Sequence, residues 1–175
     1  MALPTVPSFE DLLKSASTSA VHLEMRDSYG VSGEAAAFAA WKADGTRDTD
    51  PESPHWSSWV ALIREITSRG VSVRRARIVS EPVTDYIRFE HAGTSVVIAA
   101  GESVRWLPRR QASSLALPGN DFWLVDGRAV RFNHFTGDGE VAEPEYTEDP
   151  AVAKLCADAF EAVWSVAVPH ETYDV

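Results

Sequence analysis

The chain has 175 residues, 45% of them hydrophobic and 24% charged, and a formal net charge of -10. This length suits one α/β-sized globular domain over residues 1–175, since domains near 150 residues bury roughly 70% of their unfolded surface without staples. The lone cysteine, Cys156, excludes a disulfide framework or a cysteine-built zinc cluster, and the acidic balance argues against nucleic-acid binding by the molecule as a whole.

The N-terminal MALPTVPSFEDL has neither the basic nor the apolar region of a leader, and no apolar run reaches the ~18 residues of a membrane span. A soluble cytoplasmic protein is expected. SFED (8–11) reads as a capping box for a short helix to about residue 17. Val21, Leu23 and Met25 alternate with His22, Glu24 and Arg26, the pattern of a half-buried strand ending near Gly30. Glu34 to Lys42 is alanine-rich and helix-forming, with a stop at Gly45. Residues 44–54, DGTRDTDPESP, hold only turn formers and charges and predict a mobile loop.

Trp56, Trp59, Val60, Ile63 and Ile66 share one face of a helix that Gly70 closes. Val71 to Val79 forms a strand crowded with Arg74, Arg75 and Arg77. Alternation puts Arg75 and Arg77 on the face of Val73 and Val79, so that face needs acidic partners or a ligand; Glu81, Asp85 and Glu90 lie near in sequence. Pro82 predicts the start of a helix through His91, and a second short helix spans 95–100. Val104 to Leu107 is a strand cut by Pro108. The dipeptide Asp126-Gly127 between two apolar runs predicts a tight hairpin, and Gly137 to Gly139 a further turn. Asp149-Pro150 opens a last helix, with Leu155, Phe160, Val163 and Trp164 on its apolar side. The order predicts an α/β fold, a mixed sheet sandwiched by helices.

Charge is uneven along this order. Residues 64–131 hold eleven arginines, no lysine and seven acids, a balance of +4, while the rest holds five bases and nineteen acids, -14. Such a middle either pairs with the acidic ends inside the fold or presents guanidinium groups to an anion or acidic partner.

RGVSVR (69–74), GESVRWLP (101–108) and FWLVDG (122–127), followed by a long helix with Phe160 and Trp164, resemble one half of a phospholipase D-like domain. With SEPVTDYIRFEH (80–91) and LPGNDFW (117–123), the chain also resembles a family of uncharacterised actinobacterial proteins often encoded beside helix-turn-helix regulators. The first resemblance implies an H-x-K-x-x-x-x-D motif with its Asp at Asp126. That places Gly119 at the nucleophilic histidine and Asp121 at the phosphate-binding lysine, so the phosphodiesterase chemistry is expected to be lost.

The expected function is therefore a non-catalytic regulatory or interaction protein, partner of a helix-turn-helix transcription regulator. Its contact is expected on Arg109, Arg110, Trp106 and Trp123, since tryptophan and arginine dominate interface hot spots. The alternative is a small-anion-binding or hydrolytic site in a remodelled cleft, built from Asp126, Arg131, Asn133 and His134. No cofactor and no metal is expected, because the five histidines show no ligand spacing. The resemblance also implies a homodimer; no membrane contact is expected, and direct nucleic-acid binding is not favoured.

Overall fold

Three segments rich in valine, alanine and isoleucine form the parallel centre of a mixed sheet: β1 (Ser19–Glu24), β2 (Ser72–Val79) and β3 (Glu102–Pro108). The computed structural model describes residues 6–30 and 32–175, so the first five residues of MALPTVPSFEDL lie outside the described residues. On the far side of β1 run antiparallel β4 (Asp121–Val125), β5 (Ala129–Asn133) and β6 (Glu145–Thr147), and β7 (Val168–Pro169) edges β3. The order across the sheet is β6-β5-β4-β1-β2-β3-β7. This is the α/β sandwich around a mixed sheet that the sequence predicts.

One face of the sheet carries α1 (Phe9–Lys14), α3 (Ser57–Ser68) and α4 (Asp85–Ala100), with α2 (Ala35–Asp44) packed outside α4. The other face carries α5 (Pro150–Val166), with Ala112, Leu115 and Leu117 packed beside it. Under α5 the core is apolar: Val21, Leu23, Ala76, Ile78, Phe122 and Leu124 meet Cys156, Phe160 and Val163. Each fully buried large side chain there contributes about 1.5–3 kcal/mol of transfer free energy.

The local signals hold. The Ser8 hydroxyl accepts from the Asp11 amide at 3.1 Å, and the Asp149 carboxylate accepts from Ala151 at 2.7 Å, so both predicted N-caps form. Asp126 (φ 53°) and Gly127 (φ 63°) both take the left-handed conformation of a tight β4–β5 turn.

Three expectations need correction. The two short helices predicted between Pro82 and Ala100 are one helix, capped by the Thr84 hydroxyl rather than started by Pro82. Gly93 does not break it, because the missing side chain makes room for a guanidinium. A Cβ on Gly93 would lie 2.6 Å from Arg47 Nη2. That arginine comes from the 44–54 loop, which is anchored: Arg47 stacks over Phe89 at 3.8 Å, and the Trp56 indole donates to the Asp48 carbonyl at 2.9 Å. Finally, β1 is not half-buried, for His22 and Glu24 are as enclosed as their apolar neighbours.

Gly93→Ala sets two effects against each other. Alanine favours the helix by about 1 kcal/mol, but its methyl displaces the Arg47 guanidinium. The expected outcome is a global stability within about 1 kcal/mol of the parent together with faster tryptic cleavage after Arg47. Unchanged cleavage would show that Arg47 does not hold the loop.

Candidate functional site

The pleat of the sheet sends alternate side chains toward α3 and α4. On β1 these are Ala20, His22 and Glu24; on β2, Val73, Arg75, Arg77 and Val79. The lower ends of these strands pack against α1 and α3 through Ala20, Val73 and Val125. Toward the carboxyl ends of β1 and β2 the same face becomes ionic. Charged side chains project under the helices there, and a cleft opens above them. This is the position at which open α/β sheets commonly bind ligands.

The ion pairs are closed and short. Glu24 lies between the two arginines, 2.8 Å from Arg75 Nη1 and 2.6 Å from Arg77 Nε. Arg75 also meets Glu102 of β3 at 2.6 Å, and Arg77 meets Glu90 of α4 at 2.9 Å. Aromatic faces cover the guanidinium groups: Arg75 sits over Trp59 and Trp123, Arg77 over Trp106. Burial pushes the Glu24 carboxyl up, but Arg77 and Arg75 outweigh it and hold it at about 2. The predicted requirement for acids beside Arg75 and Arg77 is met, by Glu24, Glu90 and Glu102. Glu81 instead accepts from the Tyr173 hydroxyl, and Asp85 pairs with Arg88.

His22 stands beside this network. Its ring stacks on Trp123 with centroids 4.2 Å apart, Nδ1 lies 3.4 Å from Glu24, and Nε2 lies 3.5 Å from Asn133 Nδ2. Burial drives its pKa down to about 3, so the ring is neutral at physiological pH. Asp121, at the start of β4, accepts from the Met25 amide at 2.9 Å and from the Tyr29 hydroxyl. Burial, with the Glu24 charge behind it, pushes this carboxyl up to about 6. Glu34, raised by burial and by Glu90, accepts from the Tyr86 hydroxyl at 2.8 Å.

Two joined hollows of about 310 and 450 Å³ lie over these groups and share Phe9, His22, Glu34, Arg75 and Glu90 in their walls. The smaller is aromatic, with Trp56 and Trp59. The larger holds the polar groups Asp121, Arg131, Asn133 and His134 beside apolar Phe135, Val141 and Pro144. A strap of residues 134–144 borders it, and there the chain passes close to itself. The Gly30 amide donates to the Gly139 carbonyl at 2.8 Å, and a Cβ on Gly30 would come within 3.0 Å of that backbone.

The expected site residues divide. Arg131, Asn133 and His134 do line the cleft. Asp126 does not join them: it lies at the opposite end of β4, where it accepts from the amides of Ser17, Thr18 and Ser19 at 2.8–3.1 Å. Those bonds outweigh the effect of burial and keep its pKa low. Trp106 and Trp123 are 0% and 2% exposed and sit in the core, Trp123 also forming part of the wall of the smaller hollow. Arg109 is likewise structural. Its guanidinium donates to the carbonyls of Met25 and Ile78 at 2.6 and 3.1 Å and to the Ser80 hydroxyl at 3.0 Å, beside Asp27. Of the predicted surface only Arg110 is exposed. Sequence reasoning missed His22, Glu24, Tyr29, Glu34 and Asp121 as cleft residues. The available signal was the polar half of the β1 alternation, His22-x-Glu24, placed opposite an arginine-rich strand.

Comparison with known proteins agrees with this architecture. A family described as a domain of unknown function, DUF6879, matches residues 7–175. Nuc, a phospholipase D family member from Salmonella typhimurium, superposes with a TM-score of 0.54 at 14% identity, covering 91% of this chain and 86% of that one. NucT from Helicobacter pylori superposes with 0.53 at 12% identity, covering 93% and 88%. No curated protein matches by sequence. The fold is phospholipase D-like.

Raising a carboxyl's pKa in the native state makes folding favour its protonated form. The contribution of Asp121 is then complete below its ordinary value of 3.8 and is lost as pH rises through about 6. His22 and Glu24 act oppositely, losing their contributions as pH falls below 6.5 and 4.5 respectively. Asp121→Asn removes the first effect alone. Urea unfolding across pH 4–8 is expected to show the variant gaining about 1–2 kcal/mol on the parent above pH 7 and little at pH 4. A difference independent of pH would mean that Asp121 is not the titrating group.

Proposed function

The chain belongs to the DUF6879 family, a domain of unknown function on a phospholipase D-like fold, and from that membership we propose that it is a non-catalytic regulatory module whose cleft binds without cleaving. The observation that carries this reading is Asp121. Where the family motif, set on Asp126, calls for a phosphate-binding lysine, this chain has a buried carboxyl group held by Tyr29 and Met25. The nucleophile's position falls on Gly119, which has no side chain to attack with. A phosphodiester in the cleft would face Asp121, Glu24, Glu34 and Glu90, while Arg75 and Arg77 are already neutralised by carboxylates.

His22 supports a second, hydrolytic reading, because Glu24 behind Nδ1 is the arrangement that orients a nucleophilic or basic imidazole. Against it, the ring is flat on Trp123, its side chain is 8% exposed, Nδ1 makes no hydrogen bond to Glu24, and Nε2 faces Asn133. The partner in the regulatory reading is a helix-turn-helix transcription regulator, the company implied by the sequence resemblance. With Arg109, Trp106 and Trp123 structural, Arg110 is what remains of the expected contact surface.

Two measurements test the reading. Purified protein is expected to hydrolyse bis(4-nitrophenyl) phosphate no faster than the buffer blank. Turnover that disappears in His22→Ala would replace the binding reading with the hydrolytic one. Affinity capture of the tagged chain from its own host is expected to recover a helix-turn-helix regulator in stoichiometric amount. Recovery of the chain alone would remove that partner.

A further inference from the structure

The arginines of the cleft are not alike. Arg75 and Arg77 each hold two carboxylates, whereas Arg131 has no ion-pair partner among the described residues. Its Nη1 donates to Asn133 Oδ1 at 2.6 Å, its Nε is buried without an acceptor, and its guanidinium lies over the Phe9 ring at 5.6 Å. A half-buried guanidinium left without an anion, in a chain of net charge -10, has an unused charge to offer. Burial acts on it with no compensating carboxylate.

The acids show the converse. Asp121 and Glu34 form no ion pair among the described residues; only neutral donors, Tyr29, Met25 and Tyr86, serve them. So one cleft presents an unpaired cation and unpaired carboxyls on facing positions. The register sets their spacing. Asp121 is opposite Asn133 and Trp123 opposite Arg131, which puts Asp121 and Arg131 on one diagonal, roughly 7 Å apart.

We propose that the cleft takes a small aromatic zwitterion of amino-acid size, its carboxylate on Arg131 and Asn133 and its protonated amine against Asp121 and Glu34. The aromatic part fits the adjoining hollow between Phe9, Trp56 and Trp59. A carboxylate suits the Arg131 guanidinium, because a charge-assisted hydrogen bond to it is shorter and stronger than a neutral one. A phosphate does not, because its second charge would face Asp121 and Glu24. An amine alone would leave the Arg131 charge unanswered, and an acid alone would leave both carboxyls so. The volume, about 450 Å³ in the larger hollow, is that of a small-molecule site.

The inference rests on the cleft being a binding site that does not hydrolyse, and the test separates the two. Calorimetric titration of the full chain at pH 7.5 would use L-phenylalanine, L-tyrosine, L-tryptophan and L-histidine. Each is compared with its decarboxylated amine and its deaminated acid. At least one amino acid is expected to bind, with its matched amine and acid at least tenfold weaker. Arg131→Gln is expected to weaken that binding tenfold or more, with Arg131→Lys intermediate and both variants retaining the parental circular dichroism. Asn133→Ala gives the same direction should Arg131→Gln misfold. No binding by any of the four overturns the proposal, as does an amine or an acid that binds as well as its amino acid, or an Arg131→Gln variant that binds normally. Diester hydrolysis by the parent chain would overturn the underlying non-hydrolytic reading instead, whatever the titrations give.

Discussion

Two arginines two residues apart on a central strand cannot leave water alone, and the rest of this sheet is arranged around that fact. Moving one such cation into a protein interior costs several kcal/mol unless carboxylates meet it in good geometry. Arg75 and Arg77 obtain theirs from three different elements: Glu24 from β1, Glu102 from β3 and Glu90 from α4. Glu24 serves both arginines at once, which is possible only when β1 is parallel to β2 with His22 opposite Arg75. Slipping β1 by one residue would turn Glu24 toward α5 and put Leu23 among the charges. The ionic cluster thus specifies a register that the apolar residues, valine and alanine on both faces, specify less sharply.

The same cluster explains why a cleft exists. An apolar sheet face would draw α3 and α4 down along its whole length, as it does around Ala20, Val73 and Val125. Over the charged half, the helices supply aromatic edges and faces in place of aliphatic packing, with Trp59 above Arg75 and Phe89 beneath Arg47. Rings cover a guanidinium without filling the volume around it. Space is left between Phe9, Trp56, Tyr86 and the sheet, and it is bounded by residues that cannot collapse without unpairing charge.

Legibility in the sequence follows the range of the interactions. Caps at Ser8 and Asp149, the Asp126-Gly127 turn and the α5 stripe depend on residues within a few positions of each other, and all were readable. The β1 pattern was misread because polar alternation ordinarily means solvent on one side. Here the other side is filled by partners 51 to 53 positions away, Arg75 for Glu24 and Arg77 likewise. The continuity of α4 through Gly93 is hidden for a similar reason, since the group that fills its missing side chain, Arg47, lies 46 positions earlier in the chain. Arg109 and Trp106, taken as a surface, are consumed by carbonyls and rings whose positions depend on β1 to β3 being assembled first. Of the cleft, Arg131, Asn133 and His134 were found because the hairpin that carries them is local. Their acidic counterparts were not, because nothing near them in sequence announces the pairing.

On the non-catalytic reading proposed above, fold and chemistry separate in a definite physical way. The fold is phospholipase D-like, with solved structures superposing at 12–14% identity, and the strand that begins with Asp121 offers the cleft an acid with a pKa of about 6. A positive phosphate site and a carboxyl of that kind are incompatible, since each would cancel the other's charge within a few ångströms. Arg75 and Arg77 do not serve an incoming anion either, because Glu24, Glu90 and Glu102 already neutralise them. What the cleft can still discriminate is a pattern of charge, positive at Arg131 and negative toward Asp121 and Glu34, spread over a distance fixed by the pleat of two antiparallel strands. Selection by such a pattern requires no reacting atom, only that an occupant match both signs at once.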